Sequence, residues 1–248
     1  GHTCIITIDN PPANTWTPES LKAMKALAEE LNANKSIYAA VITGNGEKFF
    51  SAGADLKRFQ GDKVGAREFI SAFGDAFGTW MNSRFVTIAA VNGYAMGGGL
   101  ECALSCDIRI AETHAQMALP EPAVGLLPAG CGTQNLPWLI GEGWAKRMIL
   151  TNERVNAETA LRIGLVEEVV EKGASLAAAK AMAERVAGLS PKSVEFCKDL
   201  IHNARNGVPR GAGLALERER FMDLFDFEDQ AEGVKAFLEK RKPEWKNA

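Results

Sequence analysis

Apolar positions change their period along this chain, and the change divides it. Residues 4–8 (Cys-Ile-Ile-Thr-Ile) form a short apolar run closed by Asp9-Asn10-Pro11-Pro12, which predicts a strand. Thr17-Pro18-Glu19 offers a capping hydroxyl, a proline for the first helical position and an acid for the first turn. Leu21, Met24, Leu27, Ala28 and Leu31 then recur at helical spacing. A second strand is expected over 38–43, turned by Gly44-Asn45-Gly46, and a helix over 64–83. That helix carries Phe69, Phe73, Phe77 and Trp80 on one stripe, which reads first as core packing. Residues 86–91 are continuously apolar, as suits a strand buried on both faces. A short helix over 100–105 and a strand over 107–111 follow.

Beyond about residue 140 the helical period dominates. Helices are expected over 142–151, 156–163, 174–188, 191–205, 212–226 and 229–240, with one strand over 165–169. The pattern predicts an α/β core followed by a helical region, with no Pro/Ser-rich linker, low-complexity tract or exact repeat. Leu214, Phe221, Leu224, Phe225 and Phe237 give that region much apolar surface, and a second subunit is a natural partner for it.

Composition narrows the function classes. The chain has 248 residues, 46% hydrophobic and 24% charged, enough for a sizeable core and unlike a disordered chain. Its net charge of -3 argues against binding nucleic acid or an acidic membrane by bulk electrostatics. No apolar run approaches the roughly 18 residues of a membrane span. Five cysteines, an odd and sparse set, point to a reducing compartment rather than a disulfide framework. Cys102 and Cys106 are four apart and the histidines are His2, His114 and His202, so zinc-ligand spacing is missing and no metal site is expected. The chain begins Gly-His-Thr, which reads as a tag remnant or a missing first segment; no signal or transit peptide is visible.

Two glycine-rich segments are candidates for chemistry. One is Ser51-Ala52-Gly53-Ala54-Asp55; the other is Gly97-Gly98-Gly99, before the short helix. Each alone reads first as a tight turn. Facing one point, they could give two N–H donors to a developing oxyanion. Neither is a dinucleotide fingerprint or a P-loop. Glu101 lies among Leu100, Cys102, Ala103 and Leu104, and Glu121 lies between Pro120 and Pro122. Carboxylates in such apolar company are either solvated or functional, and Glu101 serves a helix start as readily as a reaction. No GxSxG occurs, and Ser51 has no visible paired base.

Three motifs together carry a resemblance: Phe-Phe-Ser-Ala-Gly-Ala-Asp-Leu-Lys (49–57), Ala-Val-Asn-Gly-Tyr-Ala-Met-Gly-Gly-Gly-Leu-Glu (90–101) and Leu-Pro-Glu-Pro-Ala-Val-Gly-Leu-Leu-Pro (119–128). They resemble the crotonase (enoyl-CoA hydratase/isomerase) superfamily over nearly the whole chain. The resemblance implies an α/β spiral of ββα units over 1–190 holding an acyl-CoA site. It implies a helical region over 191–248 that makes homotrimers, paired in some members into hexamers. It implies that the backbone N–H groups of Ala54 and Gly98 form an oxyanion hole and that Glu101 and Glu121 are the catalytic acids. Ala52, Asp55, Leu56, Lys57 and Ala129 would line the CoA and acyl path, with Lys57 nearest the phosphates. Phe237 and Lys240 match positions that reach a neighbouring subunit's CoA.

The paired glutamates resemble the hydratases of the superfamily. The expected reaction is reversible syn addition of water to a 2-trans-enoyl-CoA, with coenzyme A part of the substrate and no separate cofactor. Alternatives are a Δ3,Δ2-enoyl-CoA isomerase, another acyl-CoA enolate reaction, or a non-catalytic RNA-binding homologue; the intact acid pair counts against the last. Bacterial cytoplasm and mitochondrial matrix both fit. Ala129 and Cys131 stand where the family has glycines, Asn135 where an Arg is common, and Leu119 where a Gln can occur. These departures leave the acyl group open.

Overall fold

A computed structural model describes residues 1–59 and 63–247. Ala248, the last residue of the expected 191–248 region, lies outside them. A repeated unit organises the first part of the chain. β1 (Thr3–Ile8) leads to α1 (Pro18–Ala33); β2 (Ala39–Gly44) and β3 (Phe49–Ser51) lead to α2 (Lys63–Met81). β4 (Val86–Val91) and β5 (Tyr94–Met96) lead to α3 (Gly98–Leu104); β6 (Ile108–Glu112) and β7 (Gln116–Ala118) lead to α4 (Gly132–Leu150). The longer strand of each pair joins a parallel sheet ordered β1-β2-β4-β6-β9, where β9 is Glu168–Val170. The shorter strand joins a second sheet, β3-β5-β7-β8, in which β8 (Val155–Asn156) runs antiparallel. Successive turns of chain therefore stack as a spiral of ββα units.

The continuous apolar runs are explained by this layering. Side chains alternate across a strand. Ala40, Ile42, Ala89, Val91 and Ala111 face the large core with α1, α2 and α3. Ala39, Val41, Ile88, Ala90 and Ile110 face a second core closed by Ala179 and Ala183 of α6 (Ser175–Ala187). Helices on both faces leave no polar side for these strands. α1 begins as expected, with Thr17 and Ser20 closing a capping box.

Several boundaries differ from the sequence reading. α3 starts at Gly98, two residues early, so two of the three glycines are helical. The helix expected over 142–151 is the second half of α4, which begins at Gly132 and kinks at Gly141 (φ 77°). Pro137 and the nearby glycines hide its first half from a periodicity argument. α5 (Ala157–Ile163), α7 (Pro191–Arg205), α8 (Arg210–Asp223) and α9 (Glu228–Leu238) complete the helices among the described residues. The tail after α9 returns to the core. Trp245 donates to Gly188 O at 3.0 Å, Asn247 donates through its side chain to Lys35 O at 2.7 Å, and Asp229 accepts the N–H groups of Lys246 and Asn247.

Close backbone contact fixes β3 against α3. A Cβ on Gly99 would lie 2.1 Å from Ser51 O, a backbone atom with no room to yield. Gly99→Ala is expected to destabilise the fold by about 3 kcal/mol or more, or to prevent folding. Chemical denaturation of that variant is the check, and wild-type stability would refute the contact.

Candidate active site

The two glycine-rich segments meet. Trp16 donates to Gly53 O at 2.8 Å and accepts from Asp55 N–H at 3.1 Å, a parallel bridge centred on Ala54. The alternation of backbone groups turns Ala54 N–H to the opposite side. Gly53 has φ +92°, and a Cβ there would stand 2.7 Å from Met96 O and 3.1 Å from Gly98 N. Only glycine allows both that conformation and that approach. Gly98 is the first residue of α3, so its N–H has no acceptor within the helix. Ala54 and Gly98 therefore offer unspent donors on adjoining segments.

Glu101 sits in the first turn of α3 and is 3% exposed. Its Oε1 accepts three backbone N–H groups: Gly130 at 2.9 Å, Cys131 at 2.9 Å and Gly132 at 2.8 Å. These amides open α4, and glycine is needed beside them. A Cβ on Gly130 would be 2.9 Å from Glu101 Oε2, and one on Gly132 would be 3.0 Å from Oε1. Burial pushes the Glu101 carboxyl above its usual range, and the three amides oppose that rise. The Cys131 thiol adds a bond to Glu101 O at 3.2 Å.

Glu121 opens a 3-10 turn, Glu121–Val124. Its Oε1 lies 2.9 Å from the point a Cβ on Gly97 would occupy. Its Oε2 is buried with no hydrogen-bond partner among the described residues. Burial foremost, with the nearby Glu101 charge adding, pushes its pKa up to about 7. The two acids are thus unlike: Glu101 is cradled by three amides of another segment, while Glu121 has a backbone bond only from its own amide and one oxygen without a partner.

Both line a cavity of about 760 Å³. Ala52, Ala54, Leu56, Gly98 and Ala129 are on its wall as well. Asp55 and Lys57 are not among its lining residues; the Asp55 carboxylate accepts Lys57 N–H at 3.2 Å, closing the 3-10 turn Leu56–Phe59. Phe237, 83% exposed on α9, and Lys240 beyond it are also absent from the wall of this single chain. The sequence reading missed two features. Lys63, Arg67, Ile70 and Phe73 place one stripe of α2 along the cavity, and of these only Phe73 belongs to the aromatic stripe that reads first as core packing. The Gly130–Gly132 amide cradle was also missed, because backbone donors leave no side-chain signal. Among the substituted family positions, Leu119 is buried, and Asn135 donates to Leu104 O at 3.2 Å. Among the described residues no group of three or more His, Cys, Asp or Glu could hold a metal, and no helix is long and apolar enough to cross a membrane.

Known proteins are similar to this chain in sequence and fold. The solved structure of Pseudomonas aeruginosa DspI superposes with a TM-score of 0.97 at 62% identity, covering 99% of this chain and 94% of that one. The short-chain-enoyl-CoA hydratase of Clostridium acetobutylicum is 38% identical over 98% of this chain and 94% of its own. The (E)-benzylidenesuccinyl-CoA hydratase of Thauera aromatica is 38% identical over 100% of this chain and 96% of its own. A family model matches residues 2–248. Two free amides, a buried glutamate beside a half-buried one and a ββα spiral are thus found together in a chain that belongs to the enoyl-CoA hydratase/isomerase family.

Proposed function

We propose that the cavity hydrates a 2-trans-enoyl-CoA thioester to the 3-hydroxyacyl-CoA. The observation that carries this reading is the unlike pair of glutamates beside two unspent amides. The thioester oxygen takes the N–H groups of Ala54 and Gly98, which stabilise negative charge as it develops there. A water between the acids attacks C3. Its O–H bond breaks, and the proton passes to Glu101. The C3–O bond forms as electron density moves through C2 to the thioester oxygen. Glu121, protonated near neutral pH, gives its proton to C2. Proton return from Glu101 to Glu121 through the next water restores the site, so the net change is addition of H2O.

The CoA portion lies along Ala52, Leu56 and Ala129, with Asp55 and Lys57 at the turn that leads to it. The acyl portion lies along α2. Residues 191–248 form the oligomerisation region of a homotrimer or hexamer. The exposed Phe221, Phe225 and Phe237 support that assembly, and with Lys240 the last of these covers a neighbour's CoA. Five free cysteines and the bacterial relatives support work in a reducing bacterial cytoplasm.

Loss of the conjugated enoyl absorbance of crotonyl-CoA on adding the protein is the test. Rapid loss with formation of 3-hydroxybutyryl-CoA is expected. Silence toward crotonyl, branched and aromatic 2-enoyl thioesters, with gain of conjugation from a 3-enoyl thioester, would instead establish an isomerase.

A further inference from the structure

Trp16 has no part in the reaction above, and it is not among the residues lining the cavity. It is nevertheless 4% exposed and adjoins both segments that carry the donors of the hole. Its main chain brackets Ala54 through the bonds to Gly53 O and from Asp55 N–H. Its ring reaches the other donor: Cδ1 is 3.6 Å from the point a Cβ on Gly98 would occupy, a point Phe73 Cε1 approaches to 2.7 Å. The same ring meets Phe77 edge-on at 5.8 Å between centroids. Phe77 in turn lies 3.1 Å from the Cβ position of Gly130, whose amide holds Glu101. Main chain and side chain of one residue therefore span the segments whose separation defines the hole.

The indole adds an independent sign. Trp16 Nε1 is buried and has no acceptor among the described residues. An unpaired buried donor costs stability that a phenylalanine would not incur. Trp16→Phe therefore removes an unpaired donor while keeping most of the ring's bulk.

We infer that Trp16 is a positioning residue that sets the spacing of the Ala54 and Gly98 N–H groups, and through it the polarisation of the bound thioester. The inference rests on reading those two groups as the oxyanion hole. Truncation would leave a void behind Gly98, and small displacements of oriented donors cost rate steeply.

The test uses the full-length protein with Trp16→Ala and Trp16→Phe, crotonyl-CoA for turnover, and a 2,4-dienoyl-CoA for binding. Extended conjugation holds the dienoyl thioester on the unhydrated side, and polarisation of its carbonyl shifts the bound absorbance to longer wavelength. Trp16→Ala is expected to lower kcat by about 10²-fold with KM within about threefold, and to lose most of that shift. Trp16→Phe is expected to recover most of both. A folded Trp16→Ala protein with wild-type kcat and full shift overturns the inference. So does a loss confined to KM. If Trp16→Ala does not melt cooperatively, Trp16→Leu is read by the same two measures. A wild type that turns over crotonyl-CoA but shows no shift overturns the reading of the hole itself. A wild-type shift unchanged in the variants overturns only the role of Trp16.

Discussion

Glu121→Gln is expected to lower kcat by about 10³-fold while KM stays within about threefold. The amide keeps the size of the carboxyl and its place over Gly97, so substrate binding survives. It has no acidic proton for C2, so the transition state loses its donor. Wild-type kcat/KM in the hydration direction is expected to fall as pH rises through about 7, where Glu121 ionises. Stability carries the same signature. The carboxyl titrates near pH 4.3 in the unfolded chain and about 7 in the folded one, so the folded state holds a proton that the unfolded state has released. The stability linked to that proton is fully present below about pH 4.3 and is lost as pH rises through 7. The Gln variant has no such loss. Its Tm should exceed that of wild type at pH 8 and converge with it near pH 4. A difference independent of pH would remove the raised carboxyl from the account, and a Gln variant with normal turnover would remove Glu121 from the reaction.

Physical causes separate what could be read in the chain from what could not. Runs such as 86–91 declare themselves because burial on both faces demands apolar residues throughout, and Thr17-Pro18 because capping is local chemistry. The second sheet does not. β3, β5 and β7 have three residues each, too few to show a period, and they are defined by their partners. Glu101 and Glu121 could be singled out as charges in apolar surroundings, but their difference could not. Whether Glu101 is cradled depends on where α4 begins, and periodicity alone places that helix ten residues late. Lys63 and Arg67 failed to appear for another reason. They lie one helical turn apart on the α2 stripe, and only the third dimension shows that the stripe borders a cavity as well as a core.

In the proposed reaction that cradle suits Glu101 to accept the proton of water, and removal of the Glu101 carboxylate is the complementary test. Three N–H donors on a single oxygen favour the ionised form and hold the carboxylate still, leaving Oε2 for the water. Glu101→Gln should fold, because the amide carbonyl can accept the same three bonds while its NH2 replaces Oε2. It cannot take a proton from water, and kcat is expected to fall by about 10³-fold with little change in KM. The double variant with Glu121→Gln discriminates further. If both acids act on one addition, each single change already disables the step, and the double variant should fall little below the worse single one. Losses that multiply would mean that each carboxylate contributes independently to the rate-limiting transition state, and the reading in which the two act as a unit would give way. Steady-state kinetics of the four proteins on crotonyl-CoA decide between these outcomes.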